Sequence, residues 1–207
     1  ALDFIMKSIE GAGYKPGDDV MLALDAASSE FYKDGKYELA GEGKTLDSDG
    51  MIKYYEDMVS NYPIFSIEDG LDEDDWDGWA AMTAALGSKV QLVGDDLLVT
   101  QQRYVDQAIQ SHAANAVLVK VNQVGTVTVT LQTIATARAA GWGIVISHRS
   151  GETEDTTIAD LVVGTRAGQL KAGAPARSDR VAKYNRLLAI ADELGGVAEY
   201  AGRRSFR

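Results

Sequence analysis

Short apolar runs alternate along this chain with stretches of helical spacing. The runs fall at Val20 to Leu24, Pro63 to Ile67, Val90 to Val93, Ala116 to Val119, Gly143 to Ser147 and Gly168 to Leu170, and each predicts a buried strand. Between them, Met51, Tyr54, Tyr55, Met58 and Val59 share one helical face, as do Val105, Ala108 and Ile109. Leu131, Ile134 and Ala135, with the apolar stem of Arg138, predict a further helix, and Val181, Tyr184, Leu187, Leu188 and Ala191 a last one. Strands alternating with helices predict parallel βαβ units.

A polar residue closes each apolar run: Asp25, Glu68, Asp95, Lys120, His148 and Lys171. From Glu68 onward these ends recur about every 23 to 28 residues, roughly one βα unit. In a β/α barrel such strand ends converge on one face, where the catalytic residues of several strands meet. The longer first interval holds an insertion. Phe31 to Leu39 reads as a hairpin with Asp34-Gly35 at its turn, and Gly41 to Asp49 as a surface loop before a helix from about Asp49. With no linker rich in Pro, Gly or Ser, residues 1–207 are expected to form one domain.

The fold class expected is α/β, a TIM-like (β/α)8 barrel. A closed barrel needs eight strands, and six are counted here. Leu2, Ile5, Met6 and Ile9 have helical spacing with no capping residue before them, so the chain reads as a barrel lacking its beginning.

Composition narrows the chemistry. The 207 residues contain no cysteine, which removes disulfides and thiolate metal sites and leaves the oxygens of 31 acidic residues and two histidines as ligands. A net charge of −11 argues against wrapping nucleic acid, which needs clustered Lys and Arg. No apolar run is long enough to span a bilayer, and no signal peptide is visible, so a cytoplasmic protein is expected.

Asp25, Glu68 and Asp95 end three consecutive strands, and hard oxygen donors of this kind suit Mg²⁺. A single carboxylate there could equally be a helix cap. Three in succession, followed by Lys120, favour a shared metal site, with Asp69 and Asp96 in supporting or capping roles. Lys120 sits in the apolar run Ala116 to Val121. A buried structural ion pair is one reading of it. The other is a general base, since burial and nearby cations such as Lys171 favour a neutral amine that accepts a proton. Ser147 to Thr156 is the densest polar run, where Arg149 offers a forked donor for phosphate and Ser150 a hydroxyl near a helix N-terminus. His112, on the helix-to-strand side, is expected to be structural.

Ser66-Ile67-Glu68-Asp69, Val93 to Leu97, Lys120 to Gln123, Ser147 to Thr156 and Lys171 to Ser178 together closely resemble the enolase family. The likeness spans the whole chain but about the second half of the family's usual length. It implies a Mg²⁺-dependent lyase of glycolysis that dehydrates 2-phosphoglycerate to phosphoenolpyruvate. By that resemblance Asp25, Glu68 and Asp95 hold the metal, Glu68 and Asp95 also facing substrate, and Lys120 removes the C2 proton. His148, Arg149 and Ser150 bind substrate, the last two at its phosphate, and Lys171 stabilises its carboxylate.

Two departures stand out. Ala172 replaces a usual Thr beside Lys171, and Ala189 stands where many members carry an Arg that reaches the partner subunit of the homo-oligomer (dimer or octamer). The family's general acid is not matched, so the segment alone is expected to be inactive. Other readings are a different proton-abstracting member of the superfamily, or a binding role as a surface receptor or a partner in an RNA-degrading assembly. The basic tail of Arg203, Arg204 and Arg207 is the one feature such a role could use; otherwise it is a frayed end.

Overall fold

The computed structural model describes residues 1–206, so Arg207 of the basic tail lies outside the described residues. The chain divides into two compact units: residues 1–97 with 107–115, and residues 98–106 with those from 116 onward.

The first unit opens with helix α1 (Leu2–Gly11) and strand β1 (Leu22–Asp25). The insertion follows as β2 (Tyr32–Lys33), β3 (Lys36–Leu39) and β4 (Lys44–Leu46), a small antiparallel sheet in the order β2-β3-β4. The Asp-Gly turn forms as the sequence predicts: Asp34 (φ 50°) and Gly35 (φ 79°) are both left-handed, the requirement of a tight hairpin whose twist matches its strands. The predicted loop at 41–49 is corrected, because its middle is β4, paired from Lys44 to Leu46 along β3. Its alternation is too short to stand out without the partner strand.

Helix α2 (Ser48–Asn61) starts one residue before the expected point, capped by Asp47, whose Oδ1 accepts from Gly50 N–H at 3.0 Å. Then come β5 (Ile64–Glu68), α3 (Trp76–Leu86) and β6 (Gln91–Gly94). Strands β1, β5 and β6 lie side by side and parallel, with Asp25 abreast of Glu68 and Glu68 abreast of Val93. Met51, Tyr55, Ile67, Leu71, Trp79, Met82, Leu86 and Leu92 form the core of this unit, each 3% exposed or less.

Tyr37 of β3 fastens the hairpin to it. Its ring is fully buried, its hydroxyl donates to Asp75 Oδ2 (2.9 Å), and the same oxygen accepts from Asp72 N–H (2.9 Å). Asp75 also receives Ser48 Oγ at 2.5 Å and caps α3 through Gly78 N–H at 3.1 Å.

Helix α4 (Gln102–Ser111) buries Val105 and Ala108 as its spacing predicts. The second unit then carries β7 (Ala116–Val119), α5 (Val121–Val124), α6 (Val127–Ala139), β8 (Gly143–Ser147), α7 (Thr157–Gly164), β9 (Gly168–Lys171) and α8 (Ser178–Leu194). Strands β7, β8 and β9 are parallel neighbours, and β7 is buried along its whole length. A β-strand, helix, parallel β-strand order runs through both units, the α/β class expected.

Two helix faces differ from their apolar spacing. In α6 the buried residues are Thr130, Thr133, Ile134 and Ala137, while Leu131 is 42% exposed. Thr130 and Thr133 can be buried because their hydroxyls find backbone acceptors, Thr130 donating to Thr126 O one turn earlier and Thr133 to Thr100 O at 2.9 Å, nearer than Val129 O at 3.2 Å. In α8 the buried pair is Lys183 and Ile190, seven residues apart, while Leu188 is 67% exposed.

The end of the chain is solvated, with Arg203 and Arg204 exposed, and it carries local structure. A short 3-10 turn at Gly202–Ser205 follows, Ser205 O accepts from Gln169 Nε2 at 2.8 Å, and Arg204 pairs with Glu199 at 2.5 Å.

Candidate active site

In the first unit, the carboxylates predicted from the strand ends do sit there. Asp25 and Glu68 are the last residues of adjacent parallel strands, and Asp95 follows β6 directly. Asp25 is exposed, whereas Glu68 (6%) and Asp95 (7%) are buried. The tightest acidic cluster among the described residues is a different trio. Asp69, Asp95 and Asp96 each bring one carboxylate oxygen within 4.8 Å of the others.

Asp69 explains how this cluster is tolerated. Its backbone is left-handed (φ 44°), which swings its carboxylate across the end of β6. There Oδ1 accepts from Asp95 N–H and Oδ2 from Asp96 N–H, both at 2.9 Å. Burial is the largest influence on this carboxyl and pushes it up to about 7; the two N–H donors oppose that rise, and the charges of Asp95 and Asp96 add to it. A donor set made wholly of carboxylate oxygens, part buried and crowded with like charge, fits a hard divalent cation. Bound positive charge would relieve the repulsion that raises Asp69.

In the second unit, Lys120 stands at the end of β7, half-buried, as the residue from which α5 begins. Its backbone N–H donates to Thr100 Oγ1 at 2.9 Å. Lys171 closes β9 in register with Ser147, and His148 N–H donates to Lys171 O at 2.9 Å. The strand ends thus bring His148 and Lys171 together. Arg149 and Ser150 follow on an exposed loop.

That loop is held by α8, through residues the sequence reading did not single out. Arg180 spans three of its residues: the guanidinium meets His148 Nδ1 and donates to Arg149 O (3.1 Å) and Ser150 O (2.9 Å). Lys183, fully buried, pairs with Glu152 Oε2 at 2.5 Å and donates to Thr153 O and Asp179 O, each at 2.6 Å. Glu152 in turn accepts from Arg149 N–H at 2.9 Å.

Burial alone would raise the Glu152 carboxyl, but the Lys183 and Arg149 donors outweigh it and hold it below its ordinary range. His148 is pushed down, first by burial and then by the charge of Arg180, with Lys171 and Lys183 adding to the effect. The imidazole therefore favours its neutral form. Gly173 (φ 87°) is needed at its position, because a Cβ there would lie 2.8 Å from Arg180 Cδ.

His112 is exposed and left-handed (φ 55°) at the end of α4, in keeping with a structural place away from the strand ends. Ala172, the small residue beside Lys171, is buried.

In each unit, parallel strands joined by helices carry their polar residues at the strand C-termini, the arrangement of α/β proteins whose chemistry is built on βα loops. The whole of residues 1–207 matches the sequence pattern of the family described as enolase, C-terminal TIM barrel domain. The chain is 62% identical over 203 residues to Enolase 1 of Methanospirillum hungatei JF-1, an alignment covering 98% of this chain and 48% of that protein. The chain belongs to the enolase family, as its C-terminal barrel portion. It spans about half the length of this curated relative.

Proposed function

We propose that this segment supplies the barrel-domain chemistry of an enolase, the Mg²⁺-dependent dehydration of 2-phosphoglycerate to phosphoenolpyruvate in glycolysis, and that residues 1–207 serve it as one domain. The observation that carries the reading is the match to the family's catalytic barrel along the entire chain, at 62% identity to a relative named as an enolase. A cytoplasmic location and a homo-oligomeric assembly belong to the same proposal. Among the described residues, no helix is long and apolar enough to cross a membrane.

Asp25, Glu68 and Asp95 would hold Mg²⁺, which when bound supplies positive charge for the substrate's carboxylate as it becomes electron-rich. The chain's own groups do the rest. Lys120 accepts the C2 proton, its short run of apolar neighbours limiting competition from water. Arg149 and Ser150 bind the phosphate, where a planar fork and a hydroxyl give directional donors. Lys171 stabilises the carboxylate as negative charge builds on it, and His148 contacts the substrate as a neutral donor or acceptor. Hydrogen bonding of the 148–153 backbone by Arg180 and Lys183 supports this reading, because a phosphate-binding loop must be preorganised to bind tightly.

The test follows the C2 proton. In a chain extended to the relatives' full length, Lys120→Ala should abolish exchange of that proton with solvent while leaving substrate binding largely intact. Lys120→Arg should fail as well, since a guanidinium stays protonated. Exchange persisting in either variant would reassign the base.

A further inference from the structure

The segment between β6 and α4 has a backbone that its side chains resist. Val99 (φ 41°) and Thr100 (φ 57°) are consecutive β-branched residues in the left-handed region, where even one is an outlier. Such a conformation persists only when surrounding contacts fix it, and Thr100 has them on every side. Its side chain is fully buried. The hydroxyl accepts the backbone N–H of Lys120 at 2.9 Å and lies 2.5 Å from Gln123 Oε1, to which it donates. Its carbonyl oxygen receives the hydroxyl of Thr133 at 2.9 Å.

The two bonds of the hydroxyl, to Lys120 N–H and to Gln123 Oε1, converge on the turn from which the Lys120 side chain leaves. Lys120 is the residue at which β7 stops and α5 starts, so its N–H belongs neither to a strand pair nor to the helix ladder. The hydroxyl of Thr100 takes that donor, while Gln123 N–H closes back on Lys120 O at 3.0 Å. Lys120 is thereby fixed through both its amide and its carbonyl. The backbone position of Lys120 sets where its side chain begins, and a proton acceptor must sit within hydrogen-bond reach of the atom it deprotonates.

We infer that Thr100 is a positioning residue for Lys120: its hydroxyl, held in place by a left-handed backbone, sets the origin and direction of the base. This rests on the reading of Lys120 as the base. The strained backbone then has a use, since it accompanies the bond between the Thr100 hydroxyl and the Lys120 amide.

The experiment uses a chain extended to the relatives' full length. Thr100→Val keeps the shape and removes the acceptor. It should lower kcat, and the rate of C2 proton exchange, by about 10- to 100-fold with KM changed less than about twofold. Thr100→Ser should restore most of the lost rate. Thr133→Val removes a bond to the same residue without touching the Lys120 amide, and should lower thermal stability while leaving kcat near that of the parent. Equal losses of kcat in the Thr100 and Thr133 variants would make the effect general loosening and overturn the proposal, as would full kcat in a folded Thr100→Val. If Thr100→Val does not fold, Gln123→Met decides, by freeing the hydroxyl from its acceptor: kcat reduced at unchanged KM supports the role, and parental kcat overturns it. Lys120→Ala, run alongside, separates the two readings. Exchange surviving there removes the base assignment, whereas exchange lost there but intact in Thr100→Val removes the positioning role alone.

Discussion

The ammonium of Lys183 lies 2.5 Å from Glu152 Oε2, joining a fully buried position on α8 to the loop that carries Arg149 and Ser150. Side-chain exposure is 1% for the lysine and 16% for the glutamate, so solvent screens this pair far less than the surface pairs elsewhere in the chain. Lys183→Met keeps the volume and removes the charge, taking the cationic partner from Glu152, which keeps only the Arg149 amide, and the Lys183 donor from the carbonyls of Thr153 and Asp179. A loss of about 3 kcal/mol in urea denaturation is expected, as a shifted midpoint with an unchanged slope. Stability within about 0.5 kcal/mol of the parent would show that the pair holds nothing.

The same pair gives a pH dependence. Because the folded Glu152 carboxyl titrates below its ordinary value of 4.5, unfolding takes up a proton in the window just beneath that value. The pair's contribution is therefore complete above about pH 4.5 and is lost as pH falls through the lower folded value. Glu152→Gln should be less stable than the parent at pH 7, and the two stabilities should draw together as pH falls below the ordinary value of 4.5. Parallel curves would assign the acid loss to other carboxylates.

Tyr37 offers a test of the insertion. Tyr37→Phe keeps the buried ring but leaves Asp72 N–H without its acceptor and takes a donor from Asp75. About 1–3 kcal/mol of stability should go, read by thermal or urea unfolding. A variant as stable as the parent would mean that water replaces the hydroxyl.

Metal binding is tested by mass action. Mg²⁺ at about a hundredfold above its Kd should stabilise the chain by about 2.7 kcal/mol. Asp95→Ala should remove the effect under either acidic grouping. Asp25→Ala removing it, with Asp96→Ala sparing it, would fix the ligands as Asp25, Glu68 and Asp95; the opposite pattern would move the ion to the Asp69, Asp95 and Asp96 cluster.

The 207 residues by themselves should give no phosphoenolpyruvate from 2-phosphoglycerate. This rests on the proposed function, in which a second group protonates the leaving hydroxyl while Lys120 takes the C2 proton, and lack of such an acid typically lowers rates by roughly 10² to 10⁴. Turnover approaching that of the full-length chain, from a sample of verified intact mass, would defeat this expectation.

What the sequence revealed and what it hid follow one division. The central strands were legible because parallel strands buried on both faces, as β6 and β7 are, are nearly continuous apolar runs, and β7 and β8 match their predicted bounds to the residue. Polar strand ends stood out against those runs. Helices were harder. The buried face of α6 uses Thr130 and Thr133, which count as polar until their hydroxyls are seen bonded to backbone oxygens. Lys183 and Arg180 sit on α8 among other charged residues, and their partners lie about 30 positions earlier in the chain. No spacing rule connects residues that far apart. A buried lysine could have been suspected only from the seven-residue interval to Ile190, which the more obvious leucines obscured.

Asp69 has little room for chemical drift. Both of its oxygens face amide protons, so an asparagine would turn an NH₂ toward one of them, donor against donor. Glutamate would carry the carboxylate past the amides it serves, and the left-handed backbone disfavours branched or bulky replacements. Glycine would accept the backbone but forfeit both bonds. The alphabet at this position shrinks to a single letter, set by the geometry of two neighbouring amides before any ligand is considered.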